Sequence, residues 1–377
     1  MLYKDFKGLQ LSELGMGNMR LPTIGGDDNQ VDTEKAVAVI RGAYERGVNY
    51  FDTAWGYHGG NSETTVRKAL SVYPRESYYL ADKFPGYDLA NFGKQKEIFA
   101  EQLKRCGVEY FDFYLLHNVC ELNIEQYLDP KNGVLEYFLA EKAAGRIKHL
   151  GFSCHAELPA LRRFLEAYGE HMEFCQIQLN FLDWEFQHAD EKVKLLGEYG
   201  LPVWVMEPLR GGSLLRLPES AEAKLREARP GESNAAWAFN FVRSVPGVTM
   251  ILSGMNSTEQ LDENCALFSA DVKLNDAEFE LCAGIGCSML SGGVVPCTAC
   301  HYCVSHCPQG LDIPRLLALY NEHAFSGGGF IAPFAVAAIE PDKRPNNCIS
   351  CHSCTAVCPQ KIEIPETLAK FSEMMGL

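Results

Sequence analysis

Two stretches carry cysteines at spacings that suit metal chemistry: CTACHYCVSHCP, from Cys297 to Pro308, and CISCHSCTAVCP, from Cys348 to Pro359. Both read CxxCxxCxxxCP, the pattern whose thiolates hold [4Fe–4S] clusters. The two-residue spacings let three thiolates converge on one inorganic cube, and the proline after the fourth Cys turns the chain away before a helix can form. Where two such runs occur together, the fourth Cys of each crosses to the other cluster. One cluster is therefore assigned to Cys297, Cys300, Cys303 and Cys358, and the other to Cys348, Cys351, Cys354 and Cys307. A structural zinc site takes four ligands as two pairs and has no need of a third Cys or a trailing proline. The chain is expected to carry electrons, and the residues before the runs must say what for.

A second group of reactive side chains lies far upstream: Asp52, Tyr57, Lys83 and His117. Reducing a carbonyl requires a hydride on carbon and a proton on oxygen, and a phenol can supply the proton. The free Tyr pKa of about 10 is high for this, and a neighbouring ammonium lowers it by favouring the phenolate. Lys83 fits that role toward Tyr57. Asp52 would keep Lys83 charged and aimed, while His117 would hold the carbonyl oxygen by a hydrogen bond. Singly, the four have plainer readings as a helix cap, a core ring, a surface lysine and a structural histidine. Their grouping is what points to catalysis.

The elements that must position them alternate regularly. Short apolar runs fall at Leu14 to Gly17, Val48 to Asp52, Tyr78 to Lys83, Phe111 to Leu116, His149 to Ser153, Phe174 to Leu179, Val203 to Glu207 and Thr249 to Ser253. Between them lie segments such as DTEKAVAVIRGAYERG, NSETTVRKAL and ELPALRRFLEAYG, whose apolar residues recur three and four apart as on a helix. Eight strands each followed by a helix predict a (β/α)8 TIM barrel over residues 1–270. A doubly wound sheet would want GxGxxG after an early strand, and GMGNM lacks the third Gly. Asp52, Lys83 and His117 then sit at successive strand ends with Tyr57 in the loop after Asp52, which is where barrel enzymes keep their chemistry.

The segments LGMGNMRLP, FDTAWGYHGGNSE, ADKF, YLLHN and GFS, taken in order, resemble the aldo-keto reductases, and the resemblance covers about residues 1–270. It implies that Asp52, Tyr57, Lys83 and His117 are the family's catalytic set. With the Cys-rich tail, the chain is similar to the branch in which this barrel carries a C-terminal ferredoxin-type domain. The resemblance also implies NAD(P)H as cofactor, with Ser153, Gln176 and the residue after Ser153 around the nicotinamide carboxamide. Here that residue is Cys154, where the family has Asn, and a thiol is a poor amide partner. Met206 stands where the family stacks an aromatic ring, and Glu207 where it usually has Ser.

Arg210, Gly211 and Gly212 are expected beside the pyrophosphate, since glycine allows close backbone approach. Glu263 and Asn264 match the family's adenine-end pair. No basic residue occurs between Arg243 and Lys273, where the family grips the 2′-phosphate of NADP, so little preference for NADPH over NADH is expected. Nicotinamide gives two electrons as hydride whereas each cluster passes one. Either the clusters are structural or the barrel holds a flavin, a group that handles both kinds of transfer.

Lys and Arg total 34 against 49 Asp and Glu, a formal net charge of −15 that repels phosphate backbones and anionic bilayers. Nucleic acid and membranes are therefore not expected partners. The N-terminal MLYKDFKGLQLSELG has no apolar run of signal-peptide kind, and a cytoplasmic location is expected. The seven cysteines outside the runs read as small core hydrophobes, with Cys154 set apart by its position.

Residues 271–296 read as a linker and 297–377 as a small, mainly helical iron–sulfur domain. Within it, CPQGLDIPRLL and CPQKIEIPETL mark a duplicated unit with a Pro-initiated helix. The function that follows is an iron–sulfur oxidoreductase moving hydride to or from a small carbonyl or alcohol, with a ferredoxin-type protein as candidate redox partner. The alternative is a redox sensor or docking protein whose barrel binds a cofactor without turnover. The intact four-residue set favours the enzyme.

Overall fold

Apolar runs bounded by polar turns become parallel strands here because each is followed by a helix that carries the chain back to the same end of the sheet. In the computed structural model, which describes residues 1–289, 294–295, 297, 303–358 and 360–377, the barrel strands are β3 (Leu14–Gly17), β4 (Tyr50–Asp52), β5 (Tyr79–Phe84), β6 (Phe111–Val119), β7 (Ile147–Cys154), β8 (Cys175–Gln178), β9 (Val203–Met206) and β10 (Val248–Ser253). They follow one another in chain order, and β10 closes the ring by pairing in parallel with β3. The eight-stranded barrel expected from the sequence is thus the fold. The helix Thr33–Glu45 is typical of the outer layer. It buries Ala36, Val39, Ile40 and Ala43 on one face, and the Asp32 carboxylate caps its start by accepting from the Lys35 amide.

Side chains alternate along each strand, so residues two apart share a face. Tyr50, Ala81, Phe113, Phe174, Trp204 and Met250 form one buried cluster inside the barrel. Gly15 and Gly151 are required by that filling. A Cβ on Gly15 would come within 2.7 Å of Leu252, and one on Gly151 within 2.5 Å of the Phe174 ring. Two residues further along the same strands stand Asp52, Lys83, Ser153, Gln176 and Met206, and Phe113 is followed at two-residue steps by Leu115 and His117. The apolar layer is therefore the floor on which the reactive layer rests.

An element absent from the sequence expectation precedes the barrel. Strands β1 (Tyr3–Phe6) and β2 (Leu9–Ser12) form an antiparallel hairpin in which Phe6 pairs with Leu9 across the two-residue turn Lys7-Gly8. Both turn residues are left-handed, at φ 52° and 86°, as the twist of a tight hairpin requires. Phe6 packs against Phe113, Trp204 and His149, with ring centroids 5.6, 5.0 and 5.1 Å away, closing the base of the barrel.

The chain divides into two compact units, Met1–Ile285 and Gly286–Leu377. The stretch read as a linker contains the helix Asp276–Met289, and residues 290–293 and 296 of it lie outside the described residues. The second unit has no strand among its described residues. Its main helices are Ile313–Ser326, Ile331–Ala337 and Ile364–Met375. The first and last carry Pro314 and Pro365 in their first turn, and Leu311, Ile313, Leu316 and Leu317 pack with Ile362, Ile364 and Leu368 in one apolar cluster. The duplicated sequence thus folds as two equivalent helix starts facing a shared core. No helix among the described residues is long and apolar enough to cross a membrane.

Candidate active site and cluster site

The strand ends bring Asp52, Lys83, Tyr57 and His117 together. Lys83 is fully buried, and its Nζ lies 2.5 Å from Asp52 Oδ1, 2.6 Å from the Thr53 carbonyl and 3.4 Å from the Tyr57 hydroxyl. Its ammonium also sits 4.8 Å from the centre of the Tyr57 ring. The Tyr57 and His117 rings meet edge to face at 6.0 Å. The loop carrying Tyr57 is fixed from both sides. Buried His58, left-handed at φ 54°, accepts the Leu21 amide at 3.1 Å, and Ser62 donates to the Asn18 carbonyl at 2.9 Å.

The electrostatics differ from the sequence argument in one respect. Burial raises the Tyr57 phenol above its ordinary value and Lys83 only partly opposes this, so the net direction is upward. Burial likewise raises the Asp52 carboxyl against the pull of Lys83. Burial works to lower the Lys83 ammonium, but the charges of Asp52 and Tyr57 outweigh it and its pKa rises. His117 is held well below the usual histidine range by burial, with Lys83 and His155 adding to the effect. At neutral pH the set is a protonated phenol, an ammonium on a carboxylate and a neutral imidazole.

Two further rings act on His117 that the sequence reading missed. Tyr87 meets it edge to face at 5.4 Å, over Gly56, where a Cβ would lie 2.3 Å from the Tyr87 hydroxyl. Tyr127 donates to the His117 carbonyl at 2.9 Å. Nothing in the local sequence marks either tyrosine, since Tyr87 acts from the loop after β5 and Tyr127 from the short helix Ile124–Leu128 after β6.

Of the residues expected around a cofactor, several converge. Gln176 Nε2 rests 3.7 Å from Met206 Sδ, and its buried Oε1 has no hydrogen-bond partner, an acceptor that fits the NH2 of a carboxamide. Ser153 Oγ accepts the Asn118 amide at 2.8 Å. Cys154 is buried at the end of β7, next to Ser153 and so on the other face of the strand, and burial pushes its thiol up to about 12, which keeps it a neutral SH. Gly211, Gly212, Glu263 and Asn264 line a groove of about 890 Å³ together with Arg20 and Glu207. Arg210 does not line it. Its buried guanidinium turns inward, with Nε 3.4 Å from Asp183 Oδ1 and Cζ 5.6 Å from the Phe186 ring centre.

In the second unit, a small pocket is lined by Cys307, Cys348, Cys351 and Cys354. These are the four thiols assigned to one cluster, three from the second run and one from the first. The Leu311 amide donates to Cys307 Sγ at 3.4 Å, the kind of N–H···S contact that tunes a cluster. Cys297, Cys303 and Cys358 pack around the same apolar core, while Cys300 lies outside the described residues. None of the described cysteines forms a disulfide. Soft thiolates beside apolar walls fit iron–sulfur ligation.

The family model described as Aldo/keto reductase family matches residues 13–286, and that of a 4Fe-4S dicluster domain matches residues 296–363. A protein of Glycine max named probable aldo-keto reductase 1 is 30% identical over 215 residues, 55% of this chain and 58% of its own length. The NADH-specific methylglyoxal reductase of Escherichia coli strain K12 is 25% identical over 325 residues, 72% of this chain and 94% of its own. Among solved structures, the holo form of an aldo-keto reductase from Bacillus halodurans superposes with a TM-score of 0.62 at 26% identity, covering 76% of this chain and 96% of that one.

Proposed function

Because the chain belongs to the aldo/keto reductase family and carries a 4Fe-4S dicluster domain after the barrel, we propose that it interconverts a small carbonyl compound and its alcohol, using a nicotinamide dinucleotide, with two [4Fe–4S] clusters in the same chain. The observation that carries the reading is the buried Asp52–Lys83 pair set against the Tyr57 hydroxyl and the His117 ring. A bound reduced nicotinamide supplies the hydride. Tyr57, protonated well past neutral pH, gives its proton to the carbonyl oxygen as charge develops there. The Lys83 ammonium stabilises the phenolate left behind, and Asp52 holds that ammonium in place. Neutral His117 binds the same carbonyl oxygen by donating from its ring.

Gln176, Ser153 and Met206 would hold the nicotinamide end, and Gly211, Gly212, Glu263 and Asn264 the remainder of the dinucleotide. The E. coli relative is named NADH-specific, and among the described residues lining this groove Glu263 and Asn264 supply no positive charge for a 2′-phosphate. Cys297, Cys300, Cys303 and Cys358 would hold one cluster, and Cys348, Cys351, Cys354 and Cys307 the other. The clusters handle single electrons, which suits exchange with a ferredoxin-type partner.

Anaerobically purified protein, assayed for loss of NADH absorbance with small aldehydes and ketones, tests the reading. Turnover that depends on Tyr57 is expected. Absence of turnover in both directions across such a panel, with cofactor bound, would instead favour a binding role. Identification of the organic cofactor released on denaturation separates nicotinamide from flavin.

A further inference from the structure

Among the described residues lining the 890 Å³ groove, three are charged: Arg20, Glu207 and Glu263. Arg20 is the single cation. Its Nη2 lies 2.8 Å from Glu207 Oε1, joining residues 187 positions apart in the chain. The guanidinium crosses between two glycines. A Cβ on Gly254 would come within 3.1 Å of the Arg20 stem, and one on Gly211 within 3.3 Å of Nη2 and 3.7 Å of Glu207 Oε2. Both glycines therefore make room for this side chain as well as for a ligand. The opposing loop is held in an unusual shape, with Glu207 at φ 56° and Arg210 at φ 45° ahead of Gly211 and Gly212 at 64° and 92°. Backbone of this kind persists where surrounding contacts enforce it and concentrates at ligand sites. Here Asn180 enforces it by donating to the Glu207 carbonyl at 2.9 Å.

Building on the dinucleotide reading above, we propose that Arg20 is the phosphate-binding cation of this chain and that Glu207 is its exchangeable counter-ion: a dinucleotide seats when Arg20 gives up Glu207 for the pyrophosphate. Three observations support the exchange. Arg210, the basic residue that the glycine loop itself supplies, is turned inward onto Asp183 and cannot serve. Only Nη2 of Arg20 contacts Glu207, and a guanidinium has five donors suited to a phosphate oxygen pair. The Arg20 and Glu207 side chains are 49% and 26% exposed, so the pair is solvent-screened and weak enough to be displaced. With Glu207 and Glu263 both on the wall, each further phosphate on a ligand meets a carboxylate without its own cation. The groove therefore selects the dinucleotide lacking a 2′-phosphate.

The test is a double-mutant cycle on the full chain, loaded with its clusters, reading the Kd of NADH, NADPH, ADP-ribose and adenosine. Arg20→Met is expected to weaken NADH and ADP-ribose by about tenfold to a hundredfold, the range for a hydrogen bond to a charged group. Arg20→Lys should recover part of the loss, and adenosine, which has no phosphate, should bind all variants alike. Glu207→Gln removes the competing charge and should tighten NADH by about two- to fivefold, a weak surface pair's range, and NADPH by more. The loss caused by Arg20→Met should be larger in the Glu207→Gln background than in the native one. Unchanged NADH affinity in Arg20→Met, weaker binding in Glu207→Gln, or a parallel loss of adenosine binding overturns the exchange while leaving the dinucleotide reading intact. A native protein that binds neither NADH nor ADP-ribose overturns both.

Discussion

Replacing Tyr57 by Phe removes one oxygen atom from the site, and the surrounding geometry fixes what should follow. The hydroxyl lies 3.4 Å from Lys83 Nζ, a long contact, whereas the same ammonium is bound at 2.5 and 2.6 Å to Asp52 and the Thr53 carbonyl. Its loss should thus cost under about 1 kcal/mol of stability. Catalysis should suffer far more, because a positioned general acid contributes about 10²- to 10⁴-fold, or roughly 3 to 5 kcal/mol of barrier. Lys83→Met is the informative contrast. It leaves the Asp52 carboxylate buried and unpaired, a defect worth about 3–5 kcal/mol, so it should lose stability and turnover together. Three measurements on each variant decide the matter: kcat for carbonyl reduction, dinucleotide Kd, and thermal stability of the barrel unit. Tyr57→Phe retaining more than about a tenth of native kcat, or melting as early as Lys83→Met, would refute the proton-donor role.

The raised Tyr57 phenol and depressed His117 imidazole imply a reduction rate that is flat across roughly pH 6 to 9 and declines only as the phenol ionises; an inflection near the ordinary histidine value would contradict this assignment. Iron and acid-labile sulfide should each approach eight atoms per chain, on the order set by two cubes, and stoichiometric zinc without sulfide would exclude them. Gly86→Ala places a Cβ 2.0 Å from the Tyr127 hydroxyl; displacing that tyrosine from the His117 carbonyl should lower kcat and cost about 1–3 kcal/mol of stability, with dinucleotide affinity unchanged. The Glu173 carboxylate is raised by burial but lowered more by His149, Lys142 and Lys7 at 2.9, 2.5 and 2.6 Å, leaving it well below its usual 4.5. A depressed carboxyl contributes stability above its unfolded pKa and loses it as pH falls through the folded one. Glu173→Gln should therefore destabilise at neutral pH and flatten the acid side of the stability profile, as read by denaturant titration.

The barrel was legible because burial on both faces makes parallel strands continuous apolar runs, which stand out between amphipathic helices. Leu14–Gly17 is read to the residue, and the longest error lies at β6, which continues to Val119 past His117. That extension carries left-handed Asn118 and a register shift, a local irregularity that no periodicity announces. The hairpin before the barrel was missed although YKDF and LQLS flank Lys7-Gly8, since the runs are short and half polar. The four-residue set was visible because Asp52, Lys83 and His117 stand at or just after the ends of apolar runs, with Tyr57 in the loop that follows Asp52. The direction of the Tyr57 shift was not, because sequence reveals a charged neighbour but not the depth of burial around it.

The turn of Arg210 onto Asp183 was equally hidden, a tertiary contact that the local sequence does not announce, and so was the Arg20–Glu207 pair. Arg20 follows β3 and Glu207 follows β9, and closure of the ring through β10 brings the two within hydrogen-bond reach, with Gly254 against the Arg20 stem.

The hairpin sealing the base of the barrel also bears on proton traffic. Phe6, Tyr50, Phe113, Phe174 and Trp204 form a continuous, mainly apolar plug beneath the reactive layer, with no exposed member. Such a plug conducts neither water nor hydronium. On the proposed mechanism, a phenolate formed at Tyr57 would then regain its proton from the opposite end, through the same opening by which the carbonyl compound would enter and the alcohol leave. Reprotonation and product departure become steps that share one doorway, and solvent isotope effects should register on the release phase of the cycle as well as on the chemistry.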